Sequence, residues 1–221
     1  MRIAILGGTG DLGEGLALRW GYHSHHDVVI GSRDPDAAHD AADAYETRLE
    51  SRGGSAKLTG FENGMAADRA DVVVLAVPPY HVADVVDAVA DRLDDGDVLV
   101  TPAAGLTHDA DGAHHHPPSA GSVTALVADA APDGVPVVGA FHSLAAGRLA
   151  DLDADLGIDT LLVGDDEGAK DTVAGLAEDV EGLRAVDAGG LANAAEVEAL
   201  APLLINVGAR NELADPGVRF R

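Results

Sequence analysis

Gly8, Gly10 and Gly13 follow a short apolar run, Ile3 to Leu6, and stand where Leu12, Leu16, Ala17 and Trp20 begin to recur at helical spacing. In a chain with 27 glycines the spacing alone is a weak signal; its place between a strand and a helix makes it a specific one. A Cβ in such a turn would keep pyrophosphate off the backbone and the helix off the strand. The free N–H groups and the positive end of the helix then face the phosphates. Gly8, Thr9, Gly10, Asp11, Leu12 and Gly13 are therefore expected to bind a dinucleotide. No Gly-Lys-Ser or Gly-Lys-Thr follows, so a nucleoside triphosphatase loop does not fit.

The end of the second strand, Val28-Val29-Ile30-Gly31, decides which dinucleotide. A carboxylate there would hold the ribose hydroxyls of NAD; the chain has Ser32-Arg33, a hydroxyl and a guanidinium suited to the 2'-phosphate of NADP. Arg33 is one of only 14 bases against 38 acids, and the bland alternative is that it pairs with a neighbouring Asp. Val77-Pro78-Pro79-Tyr80-His81 leaves the carboxyl end of the fourth strand, the edge at which open α/β sheets bind ligands. His142, after the strand Val135 to Phe141, is expected at the same edge as a pocket residue. Neither histidine needs to shuttle protons. His114-His115-His116 lacks the spaced partners of a zinc site and reads as a flexible surface loop, so no metal is expected.

These residues need a parallel sheet to carry them, and the chain supplies its pattern. Asp34 and Pro35 open a helix to about Arg52; a weak strand lies near Lys57 to Thr59 and a short helix near Glu62 to Arg69. Val72 to Val77 is a core strand, followed by a helix from about Tyr80 to Leu93 and the strand Val98 to Val100. Thr101 to Pro118, rich in Gly, Pro, His and Asp, reads as a long loop. A helix from Gly121 to Asp129 and the strand Val135 to Phe141 complete a Rossmann-like α/β domain over residues 1–143. Residues 144–221 form a small α/β or mainly helical domain. There Leu161 to Val163 and Leu183 to Val186 flank a helix near Glu167 to Val180, and a last long helix runs from Asn193 to about Arg210. The apolar side of that helix, with Leu200, Leu203, Leu204 and Val207, suggests a homodimer.

A formal net charge of -24 reads as an acidic coat for a salt-rich, halophilic cytoplasm and argues against nucleic acid or an anionic membrane as partners. With no cysteine, disulfides and thiolate chemistry are excluded. The start at Met1 shows no secretory-type leader and no apolar run is long enough to span a bilayer, so a cytoplasmic location is expected.

The sequence resembles the coenzyme F420-dependent NADP reductase family. The likeness begins in Gly7-Gly8-Thr9-Gly10-Asp11-Leu12-Gly13-Glu14-Gly15-Leu16-Ala17-Leu18-Arg19 and continues through Ile30-Gly31-Ser32-Arg33 and Pro78-x-x-His81. It resumes in Phe141-His142-Ser143-Leu144-Ala145-Ala146, Leu149 to Asp153, Val163-Gly164-Asp165-Asp166, Asp187-Ala188-Gly189 and Glu198 to Leu204. The resemblance implies direct hydride exchange between NADP and coenzyme F420, with no catalytic acid or base. It implies Thr9, Ser32 and Arg33 at the 2'-phosphate and Gly10 to Leu12 at the pyrophosphate. Val77, Pro78 and His81 fall near NADP, and His142 and Leu144 near the deazaflavin, in a cleft closed by the C-terminal domain. One departure stands out: the family often has a base shortly after Ser-Arg, where this chain has Asp34-Pro35-Asp36-Ala37. An NADPH-dependent reductase of a small imine, hydroxy acid or flavin is the alternative of the same fold, and a non-catalytic NADP-binding redox sensor the alternative of another class.

Overall fold

Ile3, Ala4, Ile5 and Leu6 are all fully buried, as a strand covered on both faces requires. They form the body of β1 (Arg2–Leu6) in the computed structural model, which describes residues 1–221. Next come α1 (Asp11–His23), β2 (Asp27–Ser32), α2 (Pro35–Glu50), β3 (Leu58–Glu62), α3 (Asn63–Ala67), β4 (Val72–Leu75), α4 (Val82–Val89) and β5 (Val98–Thr101). The chain continues with β6 (Leu106–Asp109), β7 (Gly112–His115), α5 (Val123–Ala130), β8 (Val137–Gly139) and α6 (Ala146–Ala150). It ends with β9 (Ile158–Leu162), α7 (Glu167–Glu178), β10 (Leu183–Asp187), α8 (Ala194–Glu198) and α9 (Leu200–Asn211).

Six parallel strands pair in the order β3-β2-β1-β4-β5-β8, the doubly wound arrangement. The order reverses between β1 and β4, which opens a crevice at their carboxyl ends. Alternation along β4 shows how both faces are covered. Val72 and Val74 join an apolar cluster with α1 and α2, whereas Val73 and Leu75 join one with α3, α4 and α5.

The first cluster does not stop at residue 143; Leu144, Leu149, Leu162, Val173 and Leu183 continue it. β9 and β10 form a two-stranded parallel sheet joined to the edge of the large one by paired bonds between Gly139 and Val163, at 2.8 and 3.0 Å. Arg19, buried on α1, fastens the same junction. Its guanidinium donates to the carbonyls of Leu149, Arg148, Asp151 and Ala154 at 2.6–3.0 Å. The Trp20 indole donates to Leu176 O on α7 at 2.8 Å.

Three sequence expectations need correction. The stretch Thr101 to Pro118 contains an antiparallel hairpin, β6 with β7, rather than a long loop, and His114 and His115 lie on its second strand. Few β-branched residues mark it, because its support is tertiary: the Asn206 side chain on α9 accepts from Ala113 N and donates to Ala113 O, at 2.8 and 2.7 Å. The last helix is two, α8 and α9, meeting at Ala199. Pro202 has no N–H for an unbroken helix but suits the first turn of a new one. The helix expected from Tyr80 is α4 alone, with a 3-10 turn at Pro79–His81 before it and another at Ala90–Arg92 after it. No helix is long and apolar enough to cross a membrane.

Candidate functional site

The turn between β1 and α1 shows what each glycine does. A Cβ on Gly7, whose φ is +81°, would lie 2.5 Å from Ala76 O and 2.8 Å from Val77 Cγ1, so this position also brings Val77 beside the turn. One on Gly8 would lie 2.8 Å from Ile5 O, and one on Gly13 would lie 2.6 Å from Gly8 Cα. Gly10 differs: the nearest atom to its Cβ position is Gly7 O at 3.5 Å, so no part of the chain forbids a side chain there. What a Cβ would fill is the exposed space in front of the helix. Gly10 N–H bonds to Gly7 O, whereas the N–H groups of Thr9, Asp11, Leu12 and Gly13 meet no acceptor in the chain. A row of free donors at a helix start, with Thr9, Gly10 and Asp11 exposed in front of it, fits an anion. Glu14, which would oppose one, is paired with Arg48 at 2.7 Å.

Ser32 ends β2 beside this turn, since Leu6 and Gly31 are register partners. Its hydroxyl accepts from Asp34 N at 3.2 Å. Arg33 is exposed and makes no ion pair, so pairing with a neighbouring Asp does not account for it. The acid next to it in sequence is engaged elsewhere, because Asp34 caps α2 by accepting from Asp36 N and Ala37 N. The chain thus offers a guanidinium with no internal partner one residue beyond a strand end.

Pro78 precedes the 3-10 turn and His81 ends it, both exposed, and His81 N–H bonds to Pro78 O at 2.9 Å. The His81 ring lies edge-on to Tyr80, with centroids 4.7 Å apart. His81 does not line the cleft that holds His142.

That cleft, of about 330 Å³, brings His142 and Leu144 together with Ala201, Leu204 and Ile205 of α9 and Leu213 of the tail. His142 is 8% exposed, and neither of its ring nitrogens has a hydrogen-bond partner. Burial pushes its pKa down from 6.5 to about 4, so the imidazole is neutral at ordinary pH. A neutral ring carries one donor and one acceptor, and here both are unspent. Phe141 sets its direction: this buried residue has φ +67°, a conformation costing about 1–3 kcal/mol in a residue other than glycine. Its N–H bonds to Thr160 Oγ1 at 2.8 Å and its ring stands edge-on to Trp20. No sequence signal marks that backbone. Tyr45, whose hydroxyl donates to Gly8 O at 3.0 Å, was also hidden, because with Ala38, Ala42 and Leu49 it reads as one more core position on α2.

Known proteins match along the whole chain. A family profile described as NADP oxidoreductase coenzyme F420-dependent matches residues 2–105. The F420-dependent NADP reductase of Methanocaldococcus jannaschii is 36% identical over 223 aligned positions, covering 100% of this chain and 98% of that one. The F420-dependent NADP reductase of Methanothermobacter marburgensis is 35% identical with the same coverage. Among solved structures, a putative F420 dependent NADP-reductase from Arthrobacter sp. FB24 has a TM-score of 0.81, covering 100% of this chain and 99% of that chain; at 24% identity it supports the fold.

The buried imidazole makes stability depend on pH. As pH falls from 6.5 towards 4, the unfolded chain takes up a proton that His142 refuses in the fold, so stability is lost as pH falls through that window. Urea unfolding at pH 7 and pH 5 is expected to show a loss about 2 kcal/mol smaller in His142→Gln than in the original protein. Equal losses in the two proteins would mean that His142 is not buried as a neutral ring.

Proposed function

The chain belongs to the F420-dependent NADP reductase family, and we propose that it moves a hydride reversibly between NADP(H) and the 5-deazaflavin coenzyme F420. The observation that carries this reading is the His142 cleft: a chain that already has a dinucleotide turn holds a second, apolar-walled site with two unpartnered buried nitrogens. A cofactor ring system with both donors and acceptors at its edge suits that wall. The space before Gly10, the free N–H groups behind it and the unpaired Arg33 suit NADP.

In this reading Gly8, Gly10, Asp11, Leu12 and Gly13, together with the Thr9 N–H, hold the pyrophosphate, and the Thr9 side chain, Ser32 and Arg33 the 2'-phosphate. Val77, Pro78 and His81 flank the nicotinamide end, and His142 and Leu144 hold the deazaflavin. Residues 1–143 carry the NADP site and residues 144–221 complete the cleft. When bound, the two cofactors supply the redox chemistry, hydride exchange between nicotinamide C4 and deazaflavin C5. The chain aligns them and keeps water out. His142 contributes to alignment by hydrogen bonding; with a pKa of about 4 it is not an imidazolium acid at neutral pH. Leu144, Leu204 and Ile205 supply apolar wall. No catalytic acid or base and no metal is assigned.

The remaining assignments follow from charge and exposure. Leu203 and Val207, one turn apart on α9, are exposed at 54% and 36%, an apolar face suited to a homodimer. The net charge of -24 suits a salt-rich cytoplasm and no nucleic-acid partner. Sedimentation across a potassium chloride series is expected to give a dimer in molar salt that dissociates as salt is withdrawn. A monomer in molar salt excludes the dimer, and a dimer indifferent to salt excludes the adaptation.

Mixing NADPH with oxidised coenzyme F420 is expected to bleach the deazaflavin absorbance, with NADH a poor substitute. Arg33→Ala is expected to raise the KM for NADPH about ten- to a hundredfold and leave that for F420 unchanged. No bleaching with either nicotinamide would refute the reading, and equal use of NADH and NADPH would refute the 2'-phosphate site.

A further inference from the structure

Tyr45 sits on α2, remote in sequence from the glycine turn, yet its hydroxyl donates to Gly8 O at 3.0 Å from a ring only 7% exposed. The Gly8 carbonyl and the Thr9 N–H belong to one planar peptide and point in opposite directions. A hydrogen bond that draws the carbonyl inward therefore turns the Thr9 N–H outward, and that N–H meets no acceptor within the chain. On the other side of Gly8 the backbone is already fixed, because Gly8 N–H is shared between Ile5 O at 3.0 Å and Gly31 O at 3.2 Å. The Gly8–Thr9 peptide has no comparable backbone bond. Glycine gives the weakest intrinsic resistance to its rotation.

We propose that Tyr45 is a positioning residue for NADP(H): it fixes the Gly8–Thr9 peptide plane so that the Thr9 N–H faces the pyrophosphate. The inference rests on reading Thr9 to Gly13 as the pyrophosphate site. The hydroxyl is the donor in this bond, since burial first and then the carboxylates of Glu14 and Asp11 push the Tyr45 pKa up to about 12 and keep its proton in place. The support for Tyr45 is itself rigid. α2 is capped by Asp34, next to Ser32 and Arg33, and Arg48 on the same helix grips Glu14 of α1. One helix thereby spans both phosphate ends of the expected dinucleotide.

Tyr45→Phe keeps the ring and removes only the hydroxyl, and calorimetric titration with two ligands separates aim from packing. NADPH contains the pyrophosphate; adenosine 2'-monophosphate contains the adenosine and 2'-phosphate without it. The variant is expected to bind NADPH about tenfold more weakly and adenosine 2'-monophosphate as the original does. In steady-state assays its KM for NADPH rises by a similar factor, while kcat at saturation and the KM for F420 stay within about twofold. NADPH binding within twofold of the original would overturn the proposal. Equal weakening of both ligands would overturn it too, reducing Tyr45 to a core residue. Failure of the unmodified protein to bind NADPH would instead remove the dinucleotide reading and this proposal with it.

Discussion

How closely α1 approaches its neighbours governs both candidate sites, because that helix touches the glycine turn, α2 and the C-terminal segment at once. A Cβ at Gly13 would lie 2.6 Å from Gly8 Cα, one at Gly15 would lie 2.6 Å from Leu149 Cβ on α6, and one at Gly21 would lie 2.7 Å from Leu49 Cδ1 on α2. Three glycines on three sides let the helix seat against all of them. Arg19 and Trp20 then convert contact into hydrogen bonds, reaching the carbonyls of residues 148–154 and of Leu176. The helix whose N-terminal donors are free thus holds in place the segment that follows His142. Close packing transmits such placement because interiors have little slack.

Electrostatics works against this protein and is managed locally. NADP is an anion, and the net charge of -24 repels it at long range. At short range the balance reverses: free N–H groups and Arg33 face the expected phosphates, while Arg48 neutralises Glu14. Salt screens the distant acids more than these near contacts, which is how an acidic coat and an anionic cofactor coexist. In the His142 cleft the opposite device operates. Burial keeps the imidazole neutral, so its polarity is available without a charge that an apolar wall would have to accommodate.

Most of the sheet was legible because its strands are continuous apolar runs ended by glycine or proline, as at Ile3 to Gly7 and Val72 to Pro78. The glycine turn between β1 and α1 was legible for the same local reason. What stayed hidden depends on contacts distant in sequence. The β6–β7 hairpin rests on Asn206. Glu198, one acid among 38, is fully buried and accepts from Val123 N and Thr124 N at the start of α5. The left-handed turn at Phe141 belongs to a residue type that rarely adopts one. Spacing placed His142 at the correct edge, but only the folded chain shows that both its nitrogens are unspent.

If the chain aligns the two carriers so that hydride passes straight from one to the other, the transferred hydrogen never exchanges with water. Single-turnover reaction of C4-deuterated NADPH, labelled on the transferred face, with oxidised coenzyme F420 follows that hydrogen, with mass spectrometry of the reduced deazaflavin as the readout. One deuterium is expected at C5, retained in ordinary water, together with a primary isotope effect on the transfer step. Reduced deazaflavin carrying solvent hydrogen at C5, or no reduction when both cofactors are bound, would contradict direct transfer.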